Sequence, residues 1–255
     1  MKSLIKKIAQ SNKGIYLRNF IGFRSVNFMF NKSISFQSTS DAFLWRTDNG
    51  FKTTFNYADI LGLFYKIEDS FVELSFYSKN NDFIKKIIIN QMNYSNKLLI
   101  DKDFLDGIED YGVFYIFHRY DNYSGDDLII SNRCYVGFSL KDRLSSFVHG
   151  NLLVRYQSLD GKHNGSDMVK SSFIKKPYRI QNSFVDFTKS ELFFVNPTSK
   201  KINFSIGINR YSLENNCSIL VDVSGEKDII IISRCMFLRP IVFNYKDDFY
   251  DVYHA

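Results

Sequence analysis

The sequence predicts an all-β protein, built as an antiparallel β-sandwich of the jelly-roll or immunoglobulin-like type with few short helices. Aromatic residues make up 17% of the 255 residues, and aromatic and β-branched side chains favour strands. The chain has only four alanines, whereas helical bundles rely on alanine as the best helix former. Short apolar segments follow one another with too little chain between them for crossover helices, so the predicted sheets are antiparallel.

Apolar patterning identifies the individual strands. Residues Ile202–Asn209 alternate between apolar and polar side chains, which predicts a strand with one buried and one wet face. The continuous apolar runs at 113–117 and 229–232 predict central strands covered on both faces. Between segments 42–47 and 51–56, the tripeptide Asp48-Asn49-Gly50 predicts a hairpin turn, because Asn and Gly tolerate positive φ.

Two segments have helical character. Residues 2–9 predict a short basic amphipathic helix that caps the domain, with a membrane-surface anchor as the alternative. Residues 58–65 predict a short internal helix. The rest of the chain carries strand and turn patterns.

A short internal sequence similarity predicts that the chain consists of two domains. Leu98–Asp101 resembles Ile219–Asp222, and each is followed by an acidic turn and a strand. The predicted organisation is a β-sandwich over 1–157 with a short N-terminal helix, a polar linker or long loop over 158–176, and a second sandwich over 177–255. One large sandwich with a long loop is the alternative.

Charge and coding bias narrow the class of partner. The chain carries a formal net charge of +6, and its basic residues appear dispersed along the sequence, so nucleic acid is a less favoured partner. Lysine outnumbers arginine and asparagine outnumbers glutamine, which indicates a low-GC source. The aromatic excess therefore partly records codon usage.

The lack of a recognisable targeting signal in the sequence predicts a cytoplasmic protein. Lysines interrupt the only apolar stretch near the start, so no secretory signal is predicted. No window reaches the length of a transmembrane helix. Three widely spaced cysteines, Cys134, Cys217 and Cys235, predict reduced thiols. A particle-associated location follows if the protein is a virion component.

Sequence motifs lean against an enzyme. The chain lacks the glycine-rich nucleotide signatures, the nucleophile elbow and the common zinc motifs, although such signatures are sufficient rather than necessary. If the protein is an enzyme, the candidate catalytic residues are His118, His149 and Arg133, around a cleft. No cofactor is expected. A divalent metal is the minor alternative, with His118, His149, His254 and Asp251 as candidate ligands.

Arginine and tyrosine at strand ends are the main candidate binding residues. Arginine offers a planar fork to anionic or hydroxyl-bearing ligands, and an aromatic face can take the apolar side of a sugar ring. The candidate ligand-binding residues follow or lie within apolar strands: Arg119, Arg133, Tyr135, His149, Asn151, Arg155 and Tyr156.

These features predict a non-catalytic β-sandwich protein for binding or assembly, whose ligand is a carbohydrate or another polar polymer. The first alternative is an enzyme acting on a glycan through a His/Arg cleft. A further alternative is a self-assembling structural subunit of a virion or particle, in which copies of the chain bury exposed aromatic edges. A homo-oligomer is therefore a candidate state.

Overall fold

A computed structural model describes residues 2–20, 37–121, 129–131, 134–141, 143–157, 163–165, 174–180, 184–196, 198, 200–235 and 238–255. Within these ranges it contains two helices and nineteen strands. The helices are α1 (Lys2–Gln10) and α2 (Asn12–Phe20). The helix predicted over residues 2–9 is confirmed as α1.

The strands form four sheets, of which the first two, sheets A and B, come from the first part of the chain. Sheet A has seven strands, six of them in the order β11 (His163–Gly165), β10 (Asn151–Gln157), β1 (Gln37–Arg46), β6 (Tyr111–Tyr120), β3 (Ser70–Ser78) and β4 (Phe83–Ile89), with β7 (Ile129–Ser131) also paired to β1. Sheet B has the order β5 (Ser95–Ile100), β2 (Phe51–Ala58), β8 (Tyr135–Leu140) and β9 (Ser146–His149).

Sheets C and D come from the second part of the chain. Sheet C has the order β16 (Ser218–Asp222), β13 (Lys189–Val195), β18 (Ile241–Lys246) and β19 (Phe249–His254). Sheet D has the order β12 (Lys176–Ile180), β17 (Ile229–Ser233), β14 (Ile202–Ile206) and β15 (Asn209–Leu213). Among the described pairs only β1 and β7 run parallel, so the predicted antiparallel, all-β class is confirmed.

The predicted β-sandwich, whether jelly-roll or immunoglobulin-like, single or tandem, is wrong. The four antiparallel sheets are arranged as the blades of a four-bladed β-propeller. Sheet C shows the difference, because β13 is buried on both faces. Leu192 and Phe194 pack with sheet D, while Phe193 and Val195 pack with the core of sheets A and B. Alternation of apolar and polar residues indicates that one face of a strand is buried, but it does not indicate how many other sheets pack against that strand.

The central strand of sheet A is confirmed. Residues 113–117 of β6 are fully buried between β1 and β3, as their apolar run predicts. Beside them, Gly112 is required by a close approach: a Cβ there would lie 2.1 Å from the carbonyl oxygen of Tyr77 and 2.8 Å from the Trp45 ring. The Trp45 Nε1 donates to that same carbonyl at 2.9 Å.

The predicted hairpin at Asp48-Asn49-Gly50 is wrong in its pairing. The tripeptide does turn the chain, with Asn49 and Gly50 at positive φ. However, β1 enters sheet A and β2 enters sheet B, so the turn is a corner between two blades. The Thr53 hydroxyl bridges the corner, accepting from the Arg46 amide and donating to its carbonyl.

Two other strand predictions need correction. The strand predicted over 202–209 ends at Ile206, because Gly207 takes positive φ and starts a hairpin into β15. Ile208, placed by the alternation on the buried face, is instead 96% exposed at the turn. The run 229–232 lies inside sheet D, but Ile232 is on an exposed face, so that strand is covered on one side.

The remaining segment predictions have mixed outcomes. A π-helical turn at Leu61–Tyr65 lies within the helix predicted over 58–65. Part of the predicted linker over 158–176 is β11, which pairs with β10, and positions 158–162 and 166–173 lie outside the described residues. The division into 1–157 and 177–255 stays a prediction.

A buried charge cluster joins sheet A to sheet C. Arg46, 1% exposed, donates from Nε and Nη2 to the two Asp48 carboxylate oxygens at 2.7 and 2.9 Å. Its Nη1 donates to Glu191 at 2.9 Å and to the Tyr245 hydroxyl at 3.0 Å. Tyr245 donates in turn to Glu191 at 2.7 Å, and Lys189 lies 2.6 Å from that carboxylate. The guanidinium is thus satisfied by partners from three strands or turns.

Candidate functional site

The structure brings two predicted binding residues together on sheet B. Tyr135 of β8 and His149 of β9 are direct cross-strand partners, and both side chains are exposed. Asn56 of β2 is the partner of Tyr135 on the other side. Directly opposed residues lie on one face of a sheet. These three residues therefore form a polar and aromatic row, which we call the Tyr135 row.

The other predicted binding residues do not all join this row. Asn151 is buried opposite Ala42. Arg119 lies in sheet A with its guanidinium 5.8 Å from the Phe71 ring. Arg133 lies outside the described residues, and the side chains of Arg155 and Tyr156 also lie outside the described part of the chain.

Of the four predicted histidine and aspartate metal candidates, only two meet. The rings of His149 and His254 stack with centroids 4.7 Å apart, where β9 lies beside β19. His118 lies buried in β6 of sheet A. Asp251 is three residues from His254 along a strand, so their side chains point to opposite faces. Among the described residues, no group of three histidine, cysteine or acidic side chains is placed to hold a metal ion.

The His254 imidazole lies in a site that favours its neutral form. Both ring nitrogens are shielded from solvent. Burial, then the neighbouring His149 and Arg239, lowers the pKa of His254 to about 4. The His149 ring is oriented by its Nδ1, 2.8 Å from the Gly150 carbonyl. The two rings therefore form a stacked contact between sheets B and C, with His254 in its neutral form.

Acid is expected to weaken this contact. The pKa of His254 is lower in the folded than in the unfolded state, so the unfolded state takes up a proton first as pH falls from about 6.5 to about 4. We expect this to remove about 1–3 kcal/mol of stability across that window. Urea unfolding of wild type and His254→Phe at pH 7.5 and pH 4.5 checks the effect. The same loss in both proteins would contradict it.

A carboxyl group in a β-bulge is the second group with an unusual environment, and no sequence pattern indicates it. Asp41 sits where the register between β1 and β10 shifts. Burial raises the pKa of Asp41 to about 7. A Cβ on Gly150 would lie 2.7 Å from the Asp41 Cβ, so only glycine fits beside it. Burial, with the Asp41 charge, also raises the pKa of the Cys134 thiol to about 12, which leaves it protonated and a poor nucleophile.

An open site on the described surface is a groove along β14 and β15 of sheet D. It has a volume of about 940 Å³ and is lined by Lys175, Asn203, Phe204, Ser205, Gly207, Ile208, Arg210, Tyr211, Ser212 and Ile232. The lining combines two cations, an amide, three hydroxyl groups and apolar side chains, with no acidic residue. We call it the sheet D groove.

Cross-strand pairing arranges the groove. Arg210 is the direct partner of Ser205, which is the partner of Ile232 on its other side. These side chains lie in one row across three strands. Asn203 and Ser212 form the neighbouring pair. On the opposite face of the hairpin, Tyr211 pairs with the buried Phe204, and the two rings stack with centroids 5.1 Å apart. Polar groups with mutually fixed positions therefore face solvent.

The sequence contains a signal for this groove. The dipeptide Arg210-Tyr211 has the same arginine–tyrosine pattern as the other candidates, but it follows a polar residue rather than an apolar run. The wet face of 202–209 was recognised, and it supplies Asn203 and Ser205. What the sequence did not show was that β15 pairs back on β14 and places Arg210 beside them.

No known family model and no curated protein matches the sequence of the chain. The function must therefore be inferred from the surfaces themselves. No helix of the described part of the chain is both long and apolar enough to cross a bilayer.

Proposed function

We propose that the protein is a non-catalytic binding protein that holds a carbohydrate or other polar polymer in the sheet D groove. The observation that carries this proposal is the acid-free lining, in which Arg210 stands in one row with Ser205 and beside the Asn203–Ser212 pair. The guanidinium fork and the amide suit hydroxyl, carboxylate or sulfate groups. Exposed apolar side chains such as Ile208 suit the apolar face of a sugar ring.

The shape of the site supports a polymer over a small metabolite. Binding pockets for small molecules bury most of the ligand, whereas this groove is open along the outer face of a hairpin. The two cations, Lys175 and Arg210, face no acidic side chain within the lining, so acidic polysaccharides should bind better than neutral ones. The Tyr135 row on sheet B offers a second polar and aromatic surface for the same class of ligand.

Substitution of Arg210 tests the proposal. A panel of neutral and acidic polysaccharides is screened by affinity gel electrophoresis, and the best ligand is then titrated. We expect Arg210→Ala to weaken binding about 10- to 100-fold, since it removes charge-assisted hydrogen bonds. Arg210→Lys keeps the charge but loses the fork, and should fall between wild type and Arg210→Ala.

The matched control is Arg179→Ala on β12 of the same sheet. Arg179 is exposed and lies 3.7 Å from Asp228, outside the groove lining, so its loss should change affinity less than twofold. Absence of binding to every polysaccharide would overturn the proposal. Equal affinity of wild type and Arg210→Ala would also overturn it. The enzyme and particle-subunit interpretations, like a homo-oligomer, stay predictions.

A further inference from the structure

The first helix carries an apolar stripe that the propeller does not cover. Leu4, Ile5 and Ile8 lie on one side of α1, since residues at these spacings fall within about 100° of helical arc. Their side chains are 62%, 60% and 62% exposed. A helix that capped the domain would bury this stripe against the core. The expected cap is thus absent from the described structure, and the stripe is open to a partner.

The two helices form one defined element. The Ser11 hydroxyl accepts from the Gly14 amide at 3.1 Å, which caps the start of α2, and donates to the Ile8 carbonyl at 2.7 Å. A Cβ on Gly14 would lie 2.2 Å from that same carbonyl, so the close approach of α2 to α1 requires glycine. This packing fixes the helices at their junction and leaves the stripe on the outside.

The charge of the chain is concentrated here, which the sequence prediction of dispersed charge overlooked. Seven of the 33 basic residues and none of the 27 acidic residues lie among the first 40 positions. The first acidic residue is Asp41, in β1. Residues 41–255 carry one acidic residue in excess. The whole net positive charge of the protein therefore resides in the segment that contains α1 and α2.

We propose that α1 and α2 dock the protein on bilayers that contain anionic phospholipids. The apolar stripe of α1 inserts at the level of the headgroups, while Lys6, Lys7 and Lys13, all exposed, contact the phosphates. This combination of an apolar face and a basic polar face is what holds interfacial helices on membranes. A nucleic acid would pair with the lysines but leave Leu4, Ile5 and Ile8 in water. A stretch of 40 residues without an acidic side chain matches an extended anionic surface better than it matches a groove on a partner protein.

Vesicle sedimentation of the full chain tests the proposal. We expect binding to vesicles of equal parts phosphatidylcholine and phosphatidylserine, and binding at least about tenfold weaker to pure phosphatidylcholine. Added salt should weaken the anionic-vesicle binding. Lys6→Gln and Lys7→Gln should each weaken it about fivefold, and the double variant Ile5→Asp with Ile8→Asp should abolish it.

The control is Leu144→Asp, which adds one negative charge at a side chain that is 94% exposed on the propeller and should bind vesicles like wild type. The lysine variants keep the stripe intact, so they test the docking even if the isoleucine variant disturbs the helix. Equal binding to both vesicle types would overturn the proposal. So would unchanged binding by all α1 variants, or retention on single-stranded RNA or an acidic protein with no retention on anionic vesicles.

Discussion

Arg46→Ala is expected to lower the free energy of unfolding by about 3–5 kcal/mol, because it leaves the buried carboxylate of Glu191 without its guanidinium partner. Arg46 is almost wholly inaccessible and uses all three guanidinium nitrogens. Its guanidinium carbon also lies 4.4 Å from the Phe51 ring centroid and 4.9 Å from that of Phe243. The substitution thus removes packing as well as charge.

The pKa directions agree with this account. Burial alone would lower the pKa of Arg46, but its hydrogen bond to Asp48 and its electrostatic interactions with Tyr245, Asp48 and Glu191 raise it above its ordinary value. Burial acts to raise the pKa of Glu191, but the Arg46 charge together with the hydrogen bonds from Lys189, Tyr245 and Arg46 outweighs it, so that pKa is lowered. A lowered carboxyl pKa stabilises the fold above the unfolded value and loses that stabilisation in acid.

Urea unfolding at neutral pH measures the effect of Arg46→Ala. The matched control is Arg143→Ala, since Arg143 forms an exposed ion pair with Asp248 and its loss should cost less than about 1 kcal/mol. Arg46→Lys keeps the charge without the fork and should fall between the two. An Arg46→Ala protein as stable as the Arg143→Ala protein would contradict the structural role of the cluster.

Asp41→Asn is expected to stabilise the protein by about 2–4 kcal/mol at pH 8. The pKa of Asp41 is about 7 in the folded protein and near 3.8 when exposed. Between those values the folded state keeps a proton that the unfolded state has lost, so stability falls as pH rises through this window. Asparagine has the same shape and no charge to bury. The advantage of Asp41→Asn should therefore vanish near pH 4.

A pH series of urea unfolding curves from pH 4 to pH 8 checks the Asp41 effect. Asp228→Asn serves as the control, because Asp228 is exposed, and its difference from wild type should stay small and flat. His254 acts in the opposite direction over much of the same range, since its lowered pKa costs stability as pH falls. The free energy of unfolding of wild type should therefore change little with pH. Asp41→Asn should leave only the His254 effect, and His254→Phe should leave only the Asp41 effect. An Asp41→Asn advantage that is independent of pH would contradict the assignment.

Local patterning predicted the strands of this fold, but could not predict their assembly. The run at 113–117 reads as a central strand because five consecutive apolar side chains need cover on both faces, and β6 has that cover. The same logic applied to β13 gives a doubly buried strand, but it does not say that different sheets cover its two faces. The Asp48–Gly50 turn shows the limit most clearly. Its residues specify a reversal of the chain, but they do not specify whether the two flanking strands pair with each other or enter different sheets, as β1 and β2 do.

The candidate sites were partly predictable for the same reason. Tyr135 and His149 were each identified from their own strand, and the sheet register then paired them. Arg46 was not identified, because its partners Glu191 and Tyr245 are far away in sequence and appear there as ordinary strand residues. The sheet D groove was not identified because Arg210 gains its neighbours only through the β14–β15 hairpin.

The Arg46 cluster also constrains the order in which the chain can mature during synthesis. Asp48 emerges from the ribosome immediately after Arg46, but Glu191 follows 145 residues later and Tyr245 199 residues later. For most of translation, the guanidinium that ends up sealed between two blades has one local carboxylate and water as partners. Its burial must therefore be a late event, after β18 is made. Until then, the Arg46 side of the first two blades should stay exposed to solvent. Chaperones can bind this surface during synthesis, and it is also a site for aggregation.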